Sequence, residues 1–416
     1  MTLVQRPAPT VPPGARPCLL PTSGGPSLAA HLGRLGPLPP VGPELIAAVG
    51  AAGLRGRGGA GYPTGRKLAA VAAGTGPRVV VGNGTEGEPL SGKDAALLTA
   101  NPHGVLDGLV AAAASVGAER AILCVKRGRG ALVAGLAEAV ADRRDPLTVE
   151  IMETPTPYVA GQETALLHWL DGGDARPRSG PRPSVRGVDG RPTLVDNVET
   201  LAQIGLIARF GPAWYRQVGT PDQPGSMLVT VAGGVERPGV HEIPIGLPLG
   251  RLLDRAGAAA ASGYLVGGYF GRWIDPATPG TTPLSDAGLA ATGARLGAGL
   301  IAVVPADSCV LSEVAAVTAW YAANSAGQCG ACLFGLTDIA RAVRGLLTGE
   351  PGAEAAARRW TAMVRGRGAC QFPDGAATFV DSALDVLAGE VAAHRAGGCG
   401  RPYRGHLPTP GPGAWR

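Results

Sequence analysis

Seven cysteines are spread over 416 residues, and three of them have a spacing that can hold metal. Cys329 and Cys332 form a CGAC pair, and Cys370 follows in GACQFPD. Thiolates are the standard ligands of iron–sulfur clusters, so CxxC plus a third cysteine suits a cluster or a metal ion. The CxxC alone also suits a redox-active pair or chance spacing. Cys18, Cys124, Cys309 and Cys399 have no partner spacing, and Cys124, inside apolar RAILCV, reads as a buried structural thiol. A second kind of chemistry is suggested by GRGGAG at 56–61, followed by TGRKL. Glycine-rich loops let backbone N–H groups approach a phosphate, and Lys67 would add a point charge. In a chain with 66 Gly a plain turn explains the loop as well, and it is not a GxGxxG that follows a strand.

Three further strings carry polar groups at the ends of predicted elements. VVVGNGTEGEP (79–89) sets Asn83, Thr85, Glu86 and Glu88 at the carboxyl end of a strand, where parallel sheets bind ligands. A polar surface loop is the alternative. YVAGQETALL (158–167) puts Glu163 at a helix start, and DNVETL (196–201) does the same for Asn197, Glu199 and Thr200. Capping accounts for such residues without any ligand.

The elements that must position these groups alternate. Strands are predicted at 78–82, 120–125 and 147–151, with helices at 43–52, 103–117, 130–142, 161–170 and 198–217. Strands separated by such helices imply βαβ units and a parallel sheet. Residues 225–305 read as a β-rich insert: a hairpin-like pair around a PG turn, a helix at 248–256, and strands at 263–267 and 299–304. Helices at 309–323, 333–348, 353–365 and 376–394 suggest an antiparallel bundle. The domains expected are a Pro/Gly-rich tail (1–41), flexible or draped on the body, an α/β domain (42–222), the β-rich insert (223–307), the helical bundle (308–396) and a C-terminal tail (397–416).

Composition narrows the function classes. Gly and Pro together make up about a quarter of the chain, yet 45% hydrophobic residues can fill a core. Aromatics are only 4%, so that core is expected to be Ala, Val and Leu. Net charge is +5 with scattered Arg, which leaves no nucleic-acid footprint. The most apolar stretches, 108–125 and 296–323, carry charges, so no direct membrane insertion is expected. The first residues have no apolar signal region, which points to a cytoplasmic protein with reduced thiols.

Five strings in order, GLRGRGGAGYPTGRK (53–67), NGTEGEPLSGKD (83–94), YVAGQETAL (158–166), RPTLVDNVETL (191–201) and NSAGQCGACLFG (324–335), resemble one family. It is the flavin- and NADH-binding subunit of respiratory complex I, with related subunits of NAD-linked hydrogenases and formate dehydrogenases. Order and spacing hold from about 43 to 395. The resemblance implies a parallel-sheet α/β domain for FMN and NAD(H), a β-grasp insert of the soluble-ligand-binding type, and a C-terminal four-helix bundle with a [4Fe–4S] cluster. Gly56, Gly58, Lys67, Asn83, Glu86, Tyr158, Gly161, Asn197 and Thr200 match positions around FMN, Tyr62 and Glu163 match positions that contact the nicotinamide nucleotide, and Arg57 and Gly59 of the same loop are expected to bind cofactor with them. Cys329, Cys332 and Cys370 match cluster ligands.

The departures are specific. The first cluster cysteine is Ala326, which leaves the fourth ligand to Cys399, Cys309, Asp374 or solvent, with a 3Fe form as an alternative. Thr85, Gln162 and Asp196 occupy cofactor positions that are Asp, Glu and Asn in the family. A Lys and a Phe of the family near the dinucleotide are Gly180 and Pro183, and an aromatic after Lys67 is Ala70. The function expected is a free-standing flavin-dependent oxidoreductase. It passes electrons from NAD(P)H through FMN and an iron–sulfur centre to a ferredoxin-like or thioredoxin-fold carrier. The alternatives are a relay subunit that no longer uses NADH and a scaffold that has also lost its cluster.

Overall fold

Residues 18–21 and 23–416 are described by the structure, a computed structural model, which divides the chain into two compact units. The first holds the chain through Thr85, then Asp94–Glu153 and Pro181–Leu228; the second holds Glu86–Lys93, Thr154–Gly180 and Val229–Arg416.

The first unit is built on a four-stranded sheet of order β3-β2-β1-β4, from β1 (Arg78–Gly84), β2 (Ala118–Lys126), β3 (Val149–Thr154) and β4 (Thr193–Asn197). β1 runs parallel to both β2 and β4. The centres of β1 and β2 are continuous apolar runs buried throughout, as expected of strands covered on both faces. The helix Pro102–Val116 lies almost wholly in the core, starting from Pro at its first turn and an Asn101 cap that accepts the Gly104 N–H. It crosses helix Val198–Tyr215 so closely that a Cβ on Gly108 would lie 1.7 Å from the Leu201 carbonyl oxygen. β4 and the helix Lys93–Ala100 are additions to the elements expected; TLVDN is short, half polar, and runs straight into a helix cap.

The expected 1–41 tail is corrected from residue 28 onward, where Leu28–Leu35 is a helix capped by Ser27. Residues 1–17 and 22 lie outside the described residues. The helix is held by charge. His31 Nε2 lies 2.7 Å from Asp107 Oδ2, Arg143 donates to the other carboxylate oxygen at 2.8 Å, and Arg209 bonds the same carboxylate. Arg209 also caps the carbonyls of Leu35, Gly36 and Pro37. Burial pushes the Asp107 carboxyl up, but the hydrogen bond with His31 and the charges of Arg209, His31 and Arg143 outweigh it and hold it well below the usual carboxylate range.

The second unit carries a five-stranded sheet of order β6-β5-β9-β7-β8, from β5 (Ser226–Gly233), β6 (Gly239–Pro244), β7 (Ala261–Val266), β8 (Arg272–Ile274) and β9 (Leu300–Pro305). β5 is parallel to β9, while β7 is antiparallel to β9 and β8, the mixed sheet of the β-grasp arrangement expected. Helices follow at Val310–Asn324, Leu336–Leu347, Ala353–Val364, Phe372–Val386 and Ala388–Arg395. The single last helix expected at 376–394 is broken at Leu387, which caps one helix and opens the next. The core here is not the purely aliphatic one that composition suggests. Tyr158, Tyr269, Phe270, Trp273, Trp320, Tyr321, Phe372 and Phe379 interlock edge to face and at tilted angles, with ring centroids 4.9–6.4 Å apart. A small aromatic share averaged over the chain hides its concentration in one place.

Candidate functional site

In the first unit the glycine loop is pinned at both ends. The Gly56 N–H donates to the Tyr62 carbonyl at 2.9 Å, and the Arg57 N–H donates to Thr200 Oγ1 at 2.9 Å. The Arg57 side chain is only 6% exposed; it donates to the Tyr215 hydroxyl and the Ser226 carbonyl and lies 3.8 Å from Glu199. It braces the loop, so its backbone is what it can offer a ligand. Gly59 and Gly61 have φ of 107° and 63°, conformations that favour glycine. A Cβ on Gly58 would meet only the Asn197 Cβ, at 3.6 Å, and one on Gly61 would meet nothing within 4 Å. Tyr62, 54% exposed, stands at the loop's exit.

Beneath that loop lie the carboxyl ends of β1 and β4, where Asn83 pairs with Asn197 and Gly82 with Asp196. Asn197 caps the following helix by accepting the Glu199 N–H, and its amide donates to the Asn83 carbonyl and to Asp94. Asn83 Oδ1 accepts from the Thr85 N–H and hydroxyl at 3.2 and 2.7 Å. Lys67, expected as a phosphate cation, donates to the Val195 carbonyl and lies 3.6 Å from Asp196. Its charge is therefore shared with the protein. Glu199, fully buried, accepts the Leu228 N–H.

In the second unit Glu86 has φ of 44°, one of two non-glycine residues in the left-handed region among those described. Strain of this kind collects at functional loops. Its carboxylate accepts from the Ser91 hydroxyl at 2.9 Å. Tyr158 donates its hydroxyl to Glu88 at 2.5 Å, and the Tyr269 N–H donates to both Glu88 oxygens at 3.0 Å. Burial pushes the Glu88 carboxyl up to about 7, against the lowering by those hydrogen bonds. Sequence reasoning placed Glu88 at a strand end but gave it no role; its partners, the Tyr158 hydroxyl and the Tyr269 N–H, come from far along the chain. Gly161 ends a short helical turn begun by Tyr158, and Gln162 caps helix Glu163–Leu170, its Oε1 accepting from the Thr164 N–H and hydroxyl and the Ala165 N–H. The capping explanation holds for Gln162. Glu163 opens that helix.

The three cysteines gather at a π-helical turn, Ala331–Gly335, a distortion frequent at functional sites. Burial raises the Cys329 thiol, but the backbone N–H groups of Ala369, Cys332 and Ala331 and the Cys332 thiol outweigh it and lower it overall. Burial pushes Cys332 up to about 12, helped by Cys329 and Cys370, and Cys370 is raised by burial as well. Burial keeps Cys332 and Cys370 as neutral thiols, so a metal bound there would have to displace their protons. Ala326 is buried, and its carbonyl accepts from Arg176 at 3.2 Å. Of the fourth ligands expected, Asp374 accepts the Gly366 N–H, while Cys309 and Cys399 lie with each other beside Glu390 and His394. The set fits three cysteinyl corners of a cluster. The open glycine rim fits a phosphate-bearing flavin.

A glycine loop over parallel strand ends, a β-grasp sheet and a cysteine-bearing helical region define a flavin and iron–sulfur electron-transfer protein. Residues 49–206 match the Nuo51 FMN-binding domain, 228–268 the SLBB domain, and 312–394 the NADH-ubiquinone oxidoreductase-F iron–sulfur binding region. The chain is 33% identical over 383 residues to the F subunit of NADH-quinone oxidoreductase from Streptomyces coelicolor, covering 86% of this chain and 84% of that one. It is 31% identical to the alpha subunit of the NAD-reducing hydrogenase HoxS from Cupriavidus necator, covering 71% of this chain and 51% of that one. An NAD+-reducing [NiFe]-hydrogenase structure superposes with a TM-score of 0.79 at 31% identity, over 84% of this chain; the chain spans 62% of that hydrogenase chain. The protein belongs to the family of NADH-quinone oxidoreductase F subunits, whose members are NADH-oxidising flavoproteins with FMN-binding and [4Fe–4S]-binding regions.

Proposed function

We propose that this chain oxidises a reduced nicotinamide dinucleotide and delivers the electrons to a small carrier protein, ferredoxin-like or of thioredoxin fold. FMN supplies the chemistry when bound: it takes two electrons as hydride and gives them up singly. The observation that carries the reading is the retention of the flavin-side residues in organised positions. Gly58 and the other exposed loop glycines offer backbone, and Asn83, Asn197 and Thr200 are oriented by the hydrogen bonds described above. Tyr62, with an exposed ring in the first unit, and Glu163, at a helix start in the second, match the positions that contact the dinucleotide in the family. Cys329, Cys332 and Cys370 would hold three corners of the iron–sulfur centre. Leu333 and Phe334, 54% and 68% exposed right after Cys332, offer an apolar landing for the carrier.

A second reading, a relay that takes electrons from a protein donor, is favoured by Gly180 and Pro183 in place of a Lys and a Phe, and by Gln162 being committed to a helix cap. An anaerobic titration of the purified chain with NADH separates the two. The first reading expects the visible flavin band to bleach in proportion to NADH added. A band that dithionite bleaches and NADH leaves intact refutes it in favour of the relay.

A further inference from the structure

Three stretches of the second unit converge at a point the CGAC motif does not reach. Cys309 caps helix Val310–Asn324, its sulfur accepting from the Ser312 N–H and hydroxyl at 3.4 and 3.0 Å. Helix Ala388–Arg395 presents Glu390 and His394 one turn apart on one face. The loop that follows turns back through Gly397, Gly398 and Gly400, with φ of 118°, 120° and 70°, and brings in Cys399. The Cys309 N–H holds that returning strand by donating to the Pro402 carbonyl at 2.9 Å.

One ligand atom from each of Cys309, Glu390, His394 and Cys399 lies within 4.8 Å of the others. Cys309 Sγ is 3.3 Å from His394 Nε2, which is 3.8 Å from Glu390 Oε1; the Cys309 and Cys399 thiols are in hydrogen-bond contact. Four donors around a tetrahedral zinc are separated by about 3.4–3.8 Å, from Zn–S near 2.3 Å and Zn–N near 2.0 Å.

Three independent features aim these atoms at a cation. His394 Nδ1 lies 3.0 Å from the Leu347 carbonyl, which puts a proton on Nδ1 and turns Nε2 inward, the arrangement metal-bound histidines use. Glu390 Oε1 is buried without a hydrogen-bond partner and lies 3.8 Å from that Nε2. Its other oxygen is bonded by Arg401, whose guanidinium also holds Ser262 and the Ala306 carbonyl. Two thiolates and a carboxylate around a divalent ion leave one negative charge, which Arg401 offsets.

We propose that Cys309, Glu390, His394 and Cys399 bind one zinc ion in a closed structural site. It staples the segment after the last helix to the helical region, and it is independent of the proposed redox function. The test is metal analysis of the full chain purified under reducing conditions, with cobalt then exchanged for zinc. The result expected is about one zinc per chain and, with cobalt, thiolate charge-transfer and tetrahedral visible bands. Cys399→Ser and His394→Ala should lose both, while a Cys329→Ser/Cys370→Ser chain loses iron and keeps zinc. Should those single variants fail to fold, Glu390→Gln is expected to keep the fold and release zinc to a chelator faster than wild type. The proposal is overturned by a folded wild-type chain without zinc, by a Cys309–Cys399 disulfide, or by zinc that follows Cys329 and Cys370 instead.

Discussion

At the scale of single residues, the most informative is Glu88. Its carboxyl is ringed by Tyr158 and Tyr269 and pushed up to about 7 by burial. Between the unfolded carboxyl value of about 4.3 and about 7, the folded chain binds a proton that the unfolded chain does not. Its contribution to stability is therefore full below about 4.3 and is lost as pH rises through 7. Glu88→Gln stays neutral at every pH. It should gain on wild type by up to about 3 kcal/mol as pH climbs from 5 to 8. Melting temperatures of the two proteins across that range check it; parallel curves would show that Glu88 does not titrate there. Glu88 was legible as a strand-end carboxylate in EGEP, but its proton was not, since burial by segments far away in sequence raises it. Lys67 and Gln162, both expected beside a cofactor, also have internal partners that the sequence did not show, Asp196 and a helix start.

At the scale of elements, the Asp107 cluster decides whether the first helix exists as part of the body. An amphipathic eight-residue helix is too short to hold in water by itself. Its attachment rests on His31, Arg143 and Arg209 sharing one buried carboxylate. Asp107→Ala leaves the buried Arg209 without its carboxylate, which costs about 3–5 kcal/mol. Hydrogen exchange should show residues 28–35 losing protection before the parallel sheet does. Protection that falls equally everywhere would mean that the cluster stabilises the unit rather than the helix. The Pro/Gly-rich composition of the first 41 residues gave no sign of the helix at Leu28–Leu35, whose order comes from contacts with residues far along the chain. β4 escaped for a related reason, because TLVDN owes its strand to pairing with β1 rather than to its own pattern.

At the scale of the whole molecule, the +5 net charge and the apolar pair Leu333 and Phe334 make a statement about partners. No helix among the described residues is long and apolar enough to cross a membrane. If the carrier is acidic, its rate of reduction should fall as ionic strength rises, since steering between unlike charges is screened over about 10 Å at 0.1 M salt. Phe334→Ala should lower that rate further at any salt while leaving NADH-driven bleaching of the flavin unchanged. A rate indifferent to both salt and Phe334 would move the landing elsewhere on the surface.

The order of motifs, the alternation of strands and helices and the three-cysteine pattern were all determined by the sequence itself. Each is a local arrangement, in which neighbours along the chain are neighbours in the chemistry. Tertiary structure alone decided the rest: the aromatic core around Tyr158, the proton on Glu88, the docked first helix, and the meeting of Cys309 with Glu390, His394 and Cys399. These depend on burial and on contacts between residues tens to more than a hundred positions apart. Desolvation and charge pairing arise only when such segments are brought together, so no spacing along the chain records them.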